Sequence, residues 1–191
     1  MKKQPAQGRS QATVEAVLTA TAQLLAESGY AALTTNHIAE RAGVSIGSIY
    51  QYFPGKEAIV ALVVEHTVAE ILADFGRGLL GHAIGPARIA EVLYDTIDRR
   101  AGLLRALNYE VPFLRDVPAV GTMRGRLLAL AGRIYSDQLG DGGFRHPEAA
   151  AFQLTAMMQA AVLDSILAPP PGMTRRQAID TLAEIIARLS A

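Results

Sequence analysis

The sequence contains no cysteine and no tryptophan, and aromatic residues make up 6% of it. Without cysteine the chain can form neither a disulfide framework nor a thiolate metal site. It also lacks a His-x-x-x-His pair, a Glu-x-x-His helix motif and an acidic calcium loop, so no metal and no cofactor are expected. No Gly-x-Ser-x-Gly nucleophile motif is present either. We therefore do not expect an enzyme.

Net charge and long apolar runs are lacking as well. The 191 residues carry 18 basic and 18 acidic side chains, and no apolar run approaches the roughly 18 residues that span a membrane. Lys2 and Lys3 are not followed by an apolar segment, so a signal peptide is not expected and a cytoplasmic location is the default. Half of the residues are nevertheless apolar, which suggests a surface hidden in an oligomer.

The segment Thr35–Lys56 reads TNHIAERAGVSIGSIYQYFPGK and predicts two short helices joined by a tight turn. Thr35 can cap the first helix, and Gly43 can end it because glycine adopts the left-handed conformation at little cost. Ser45 can cap the second helix, which ends before Pro54 because proline cannot donate a backbone hydrogen bond. Two helices joined by about three residues are the layout of a helix-turn-helix unit that reads DNA.

The second helix has two sides of different chemistry. Its predicted core side carries Ile46, Ile49 and Phe53. Its opposite side carries Gly47 and Gln51, flanked by Ser48 and Tyr50. Glycine lets a backbone approach DNA closely, glutamine can bond an adenine edge, and the hydroxyls can bond phosphates. Lys56, at the start of the next helix, is a candidate phosphate anchor. An ordinary helical hairpin is the alternative.

The run Leu33–Ala58 resembles the DNA-binding signature of tetracycline-repressor-type (TetR-family) transcriptional regulators. The likeness rests on the capping threonine, the IA..AGVS turn, the G..Y.YF helix and the Lys-Glu pair that follows, and Ser10–Tyr30 resembles the family's first helix. The resemblance implies that the DNA-contacting residues are Thr35, Ser45, Gly47, Ser48, Tyr50, Gln51, Tyr52 and Lys56. It implies phosphate contacts for Tyr50 and Lys56, and base reading for Ser48 and Gln51.

The rest of the sequence predicts an all-α fold, since no strand-like alternation appears. Helices are predicted over residues 9–28, 56–75, 86–108, 122–139 and 147–167, and Thr174 is predicted to cap a last helix that ends at Leu189. We predict a flexible basic arm over residues 1–9, a DNA-binding domain over 10–56 and a ligand-binding and dimerisation domain over 57–191. The arm, with Lys2, Lys3 and Arg9, either binds phosphates or is a solubilising tail.

The last two helices predict a dimer interface. The helix over residues 147–167 has two apolar stripes: Ala149, Phe152, Ala156, Ala160, Leu163 and Leu167 form one, and Leu154, Met158, Val162 and Ile166 form the other. A helix that is apolar on two faces is buried on two faces, so we expect it to pack with the last helix against a symmetry mate in a four-helix interface. The alternative is that both stripes belong to an intrachain core.

The C-terminal helices are also expected to hold a small-molecule effector. Bulky or polar residues expected to face inward are the candidates for the pocket: Tyr94, Tyr109, Phe113, Phe152, Gln153, Met157 and Asp164. The family resemblance implies that the effector tilts the fourth helix and releases a repressor from a palindromic DNA operator. Two other functions stay open at this point: a head that docks a protein, and a helical enzyme that uses the pocket.

Overall fold

The computed structural model describes residues 5–81, 85–134 and 145–189, and the described residues form helices and turns without a β-strand. The helices are α1 (Pro5–Ser28), α2 (Thr35–Ala42), α3 (Ile46–Tyr52), α4 (Lys56–Leu79), α5 (Pro86–Asp98), α6 (Ala101–Glu110), α7 (Pro118–Ile134), α8 (Pro147–Leu167) and α9 (Arg175–Leu189), with a 3-10 turn at Leu114–Asp116. The all-α fold class is confirmed.

The chain divides into two compact units. The first lies within Met1–Thr67 and Gly102–Val120, and the second lies within Val68–Ala101 and Gly121–Ala191. The first unit thus includes more of the chain than the predicted DNA-binding domain of residues 10–56, whose boundary stays a prediction. Residues 5–9 of the predicted arm are helical, because Pro5 suits the first position of a helix.

Two predicted boundaries in the middle of the chain are wrong. The single helix expected over 86–108 is two helices with a turn at residues 99–100, where the Arg100 side chain donates to the carbonyl oxygen of Thr96 at 3.1 Å. The same guanidinium donates to Asp74 at 2.7 Å, and this hydrogen bond is the main cause that lowers the pKa of the Asp74 carboxyl. α7 begins at Pro118 rather than at Thr122, since proline is preorganised for a first helical turn. Its predicted end at residue 139 lies outside the described residues.

The C-terminal boundaries are confirmed. α8 runs from Pro147 to Leu167 as predicted. Thr174 caps α9 by accepting from the backbone N–H of Gln177 at 3.2 Å. The Gln177 side chain accepts from the Thr174 N–H at 2.9 Å in return, which makes a capping box.

The core of the second unit lies where α5 packs against α8 and α9. One apolar stripe of α8 faces this core, since Val162 is buried and Met158 and Ile166 pack against it. Most of the other stripe is open in the single chain: Phe152 is 47% exposed, and Ala149, Ala156 and Ala160 are exposed too. By length and mean hydropathy, Glu148–Leu167 also meets the criterion for a membrane span, as core helices of other proteins do.

Candidate nucleic-acid interface

Capping hydrogen bonds fix both ends of α2. Its N-cap is Thr34, whose backbone is extended and whose hydroxyl accepts from the His37 N–H at 3.2 Å. The predicted cap, Thr35, is instead the first helical residue, and this assignment was wrong by one position because two threonines are adjacent. Gly43 ends the helix at φ +67°, as predicted, and donates to the Glu40 carbonyl at 3.2 Å.

α3 is held at its first turn by a serine pair. Ser45 accepts from the backbone N–H of Ser48 at 3.0 Å, so the predicted cap is confirmed. The hydroxyls of Ser45 and Ser48 are also hydrogen-bonded to each other at 2.8 Å. The two serines therefore serve the helix start, and each hydroxyl keeps further capacity for an external partner.

The two sides of α3 differ in burial. Ile49 is fully buried and Phe53 is 6% exposed, and these two residues attach the helix to the first unit. Gly47 and Gln51 are exposed, as expected for a surface that meets a partner. Ile46 is 39% exposed, so its assignment to the core side was wrong. Ile46 is the first residue of α3, and other parts of the chain do not cover it fully.

Tyrosine hydroxyls lie at the border of the exposed side. Tyr50 is 57% exposed, and its hydroxyl is hydrogen-bonded to the Thr35 hydroxyl at 3.2 Å. This bond brings together two of the predicted DNA-contacting residues, one from α2 and one from α3. Tyr52 is 41% exposed and packs edge-on against the Phe53 ring at 6.5 Å between centroids.

Lys56 is engaged within the first unit. Its ammonium donates to the carbonyl oxygens of Leu33 at 3.0 Å and Tyr30 at 3.4 Å. It also lies 4.3 Å from the centre of the Tyr30 ring, a cation–π distance. Since an ammonium has three N–H donors, Lys56 keeps capacity for one further acceptor.

Tyr30 is a central residue of the first unit that the sequence did not single out. Its N–H donates to the Glu110 carboxylate at 2.8 Å, and its ring packs edge-on against Phe113 at 6.1 Å. Burial raises the pKa of its phenol, and the nearby Glu57 carboxylate raises it further. The sequence signal was the Gly29-Tyr30 helix break, which marked a turn but could not reveal partners some 80 residues away.

The helical segment over residues 10–67 offers little free positive charge. Between residues 10 and 67 the sequence has two basic side chains, Arg41 and Lys56. Arg41 forms a two-pronged ion pair with Glu27 at 3.0 and 2.8 Å, and the hydrogen bond from Arg41 is the main cause that lowers the pKa of that carboxyl. A nucleic acid would therefore meet mainly neutral donors and apolar groups on residues 10–67.

Comparison with known proteins matches these helices to a family. Residues 17–63, which contain the second half of α1, all of α2 and α3, and the start of α4, match the model described as bacterial regulatory proteins, tetR family. This match places the N-terminal helices of the chain among TetR-family DNA-binding segments. The chain is 43% identical over 112 residues to the uncharacterized HTH-type transcriptional regulator YvkB of Bacillus subtilis, covering 55% of this chain and 56% of YvkB.

Other relatives agree with this assignment. The HTH-type transcriptional repressor KstR of Rhodococcus jostii is 29% identical over 124 residues, which cover 60% of this chain and 57% of KstR. The chain spans about half the length of the curated relatives it matches. A crystal structure of a TetR-family transcriptional regulator from Rhodococcus sp. has the same fold, with a TM-score of 0.71, 19% identity and coverage of 94% of this chain and 99% of that one.

The predicted effector residues are divided between the two units of the chain. Tyr109 and Phe113 belong to the first unit, and the other five belong to the second. Tyr94 is 3% exposed and its hydroxyl is bonded to Ser165 at 2.5 Å, whereas Phe152, Gln153, Met157 and Asp164 are exposed. A depression of about 470 Å³ in the second unit is lined by Arg145, His146, Ala149, Ala150, Gln153, Leu154 and Met157. It includes two of the seven predicted residues, and the effector site stays a prediction.

Proposed function

We propose that this TetR-family protein is a dimeric transcriptional regulator of the cytoplasm that binds a palindromic operator and is released by a small-molecule effector. The observation that carries the proposal is the exposed side of α3. Gly47 and Gln51 face solvent there, while Ile49 and Phe53 hold the opposite side in the first unit. A solvated helix face is ordinarily rich in Lys and Glu, and this one has neither. Its chemistry suits a base-pair edge.

The eight DNA-contacting residues divide by chemistry. Gln51 has an amide that can bond an adenine edge in bidentate fashion, and Gly47 lets the α3 backbone approach a base. The hydroxyls of Thr35, Ser45, Ser48, Tyr50 and Tyr52 suit phosphate oxygens, and Ser48 can also reach a base. The bond between Thr35 and Tyr50 orients both hydroxyls from neighbouring helices. Lys56 contributes through its remaining N–H, so we expect it to add one phosphate contact.

A second copy of the chain is the proposed cover for α8 and α9. Phe152 and Met157 on α8 are 47% and 66% exposed, and Ile185 on α9 is 46% exposed. Exposed apolar side chains on two neighbouring helices suit an isologous interface between copies. A dimer would present two α3 helices to successive major grooves, which lie about 34 to 36 Å apart. Sedimentation of a monomer at micromolar concentration would count against this arrangement.

The second unit is the proposed sensor. The depression at the start of α8 combines an apolar wall with Arg145, His146 and Gln153, a composition suited to a small amphipathic molecule. KstR, which matches 60% of this chain, is named a repressor, and we propose the same direction of control here. Effector and operator would then oppose each other by a coupling of about 1 to 3 kcal/mol.

Selection of bound duplexes from a random library tests the proposal. We expect a palindrome, and we expect some small-molecule pool to abolish its recovery. On that palindrome Gln51→Ala should weaken binding by about 1 to 3 kcal/mol and relax base preference at one position of each half-site. Gln23→Ala, which truncates an exposed glutamine of α1, is the matched control and should leave affinity unchanged. Recovery of no duplex at low salt, or equal loss on operator and random DNA for Gln51→Ala, would contradict the proposal.

A further inference from the structure

The isoleucine at the start of α3 is partly open to solvent, unlike the isoleucine one turn later. Ile46 is 39% exposed, whereas Ile49, one turn later on the same helix, is fully buried. Ile46 directly precedes Gly47 and lies one turn before the exposed Tyr50, so it borders the side that carries Gln51. The exposed part of this aliphatic side chain can contact a partner that binds at the N-terminal end of α3.

In helix-turn-helix complexes the N-terminal residues of the second helix contact the base edges in the major groove. An aliphatic side chain can form no hydrogen bond there, and the feature of a base edge that favours it is the C5 methyl group of thymine. The Ile46 side chain therefore has one favourable target, the methyl group that A·T and T·A pairs carry and that G·C and C·G pairs lack.

The composition of α3 points to the same kind of base pair. The helix reads IGSIYQY, so it supplies neither Arg nor Lys, the side chains that most often bond guanine in bidentate fashion. It supplies instead a glutamine, which matches adenine, and an isoleucine, which matches the thymine methyl. Both side chains favour A·T pairs.

We propose that Ile46 is a specificity-determining residue that reads a thymine methyl in each half-site of an A·T-containing operator. The inference rests on the proposed function, since it requires that α3 enters the major groove. It names a residue that the sequence had assigned to the core, and it names the atom that this residue recognises.

Replacement of single thymines by deoxyuridine in the selected operator tests the inference, because it removes one methyl group and leaves the hydrogen-bonding edge intact. We expect wild-type protein to lose about fourfold in affinity per substituted half-site at one symmetric position, the value of one buried methylene. Ile46→Ala should bind the thymine operator more weakly and should no longer distinguish thymine from deoxyuridine there. Ile46→Val, which keeps a branched side chain, should retain part of the discrimination.

Leu80→Ala is the matched control, because it truncates a 72% exposed aliphatic side chain of the second unit and should leave the deoxyuridine profile unchanged. Thermal unfolding of each variant shows whether the fold is kept, and little change is expected at a position as exposed as Ile46. The inference is overturned, while the proposed function stands, if wild-type protein binds the operator and no replacement of thymine by deoxyuridine lowers its affinity. It is also overturned if Ile46→Ala still binds the thymine operator more tightly than the deoxyuridine operator. If no duplex is bound at all, both are overturned.

Discussion

Replacement of Gly47 by alanine should make the protein more stable and its DNA binding weaker. Gly47 is an exposed residue of the first turn of α3, where alanine is the better helix former by about 0.5 to 1 kcal/mol. A Cβ atom built there has a single neighbour among the described residues within 4 Å, the Ser45 hydroxyl oxygen at 3.8 Å, which is an ordinary van der Waals distance. The free protein therefore has no steric need for glycine at this position.

The expected effects have opposite signs. The gain in helix propensity should raise the unfolding temperature by about 1 to 4 °C for a chain of this size. If a base or phosphate packs against the α3 backbone, the added methyl group must displace it, and overpacking of this kind costs about 1 to 3 kcal/mol. Fluorescence anisotropy on the selected operator, together with a thermal melt, measures both quantities in the same protein sample.

The matched control is Gly76→Ala. Gly76 is an exposed helical glycine of α4, and a Cβ there meets no described atom within 4 Å. This control should raise the unfolding temperature by a similar amount and leave the affinity for DNA unchanged. An unchanged or improved affinity in Gly47→Ala would refute the idea that DNA approaches this backbone closely.

Three further predictions concern stability. Gly29→Ala should cost more than Gly43→Ala by about 1 to 3 kcal/mol in chemical denaturation, because both have positive φ but a Cβ at Gly29 also overlaps the Glu110 carboxylate; equal costs would contradict this. Thr96→Val should be neutral or stabilising by about 1 kcal/mol, because the buried Thr96 hydroxyl has no hydrogen-bond partner in the described part of the chain. Because the pKa of Asp74 is lowered in the folded state, its carboxylate stabilises the fold at pH values above the ordinary pKa of aspartate, and this contribution is lost as the pH falls through the lower folded pKa. Asp74→Asn should remove the contribution and make stability depend less on pH in acid unfolding. An acid-unfolding curve identical to that of the wild type would refute the assignment.

The ends of α2 and α3 could be predicted from the sequence because each depends on a residue at the helix end itself. The αL glycine at Gly43, the cap at Ser45 and the end of α3 before Pro54 each follow from the conformational preferences of one residue. The same reasoning placed α8 and the cap at Thr174 correctly. Even here the choice between two adjacent threonines went to the wrong residue, since either can accept the capping hydrogen bond.

The features that the sequence missed depend on residues far along the chain. Beside the break between α5 and α6, which was not predicted, Arg100 forms an ion pair with Asp74 of α4, 26 residues earlier in the chain. The hydrogen bond between the Tyr94 hydroxyl and Ser165 of α8 joins residues 71 positions apart, and no local pattern indicates it. Periodicity shows that a helix has an apolar side, but it cannot show which neighbour covers that side or leaves a residue such as Ile46 uncovered.

The hydrogen bonds of Lys56 connect the beginning of α4 with the backbone that leads into α2. Its ammonium joins the carbonyl oxygens of Tyr30 and Leu33, and Leu33 immediately precedes the capping residue Thr34. A rotation of the first turn of α4 must therefore either break these bonds or move residues 30–34 and the start of α2 with it. Lys56→Met, which keeps the length of the side chain but removes its donors, would uncouple the orientation of the two helices without removing either of them.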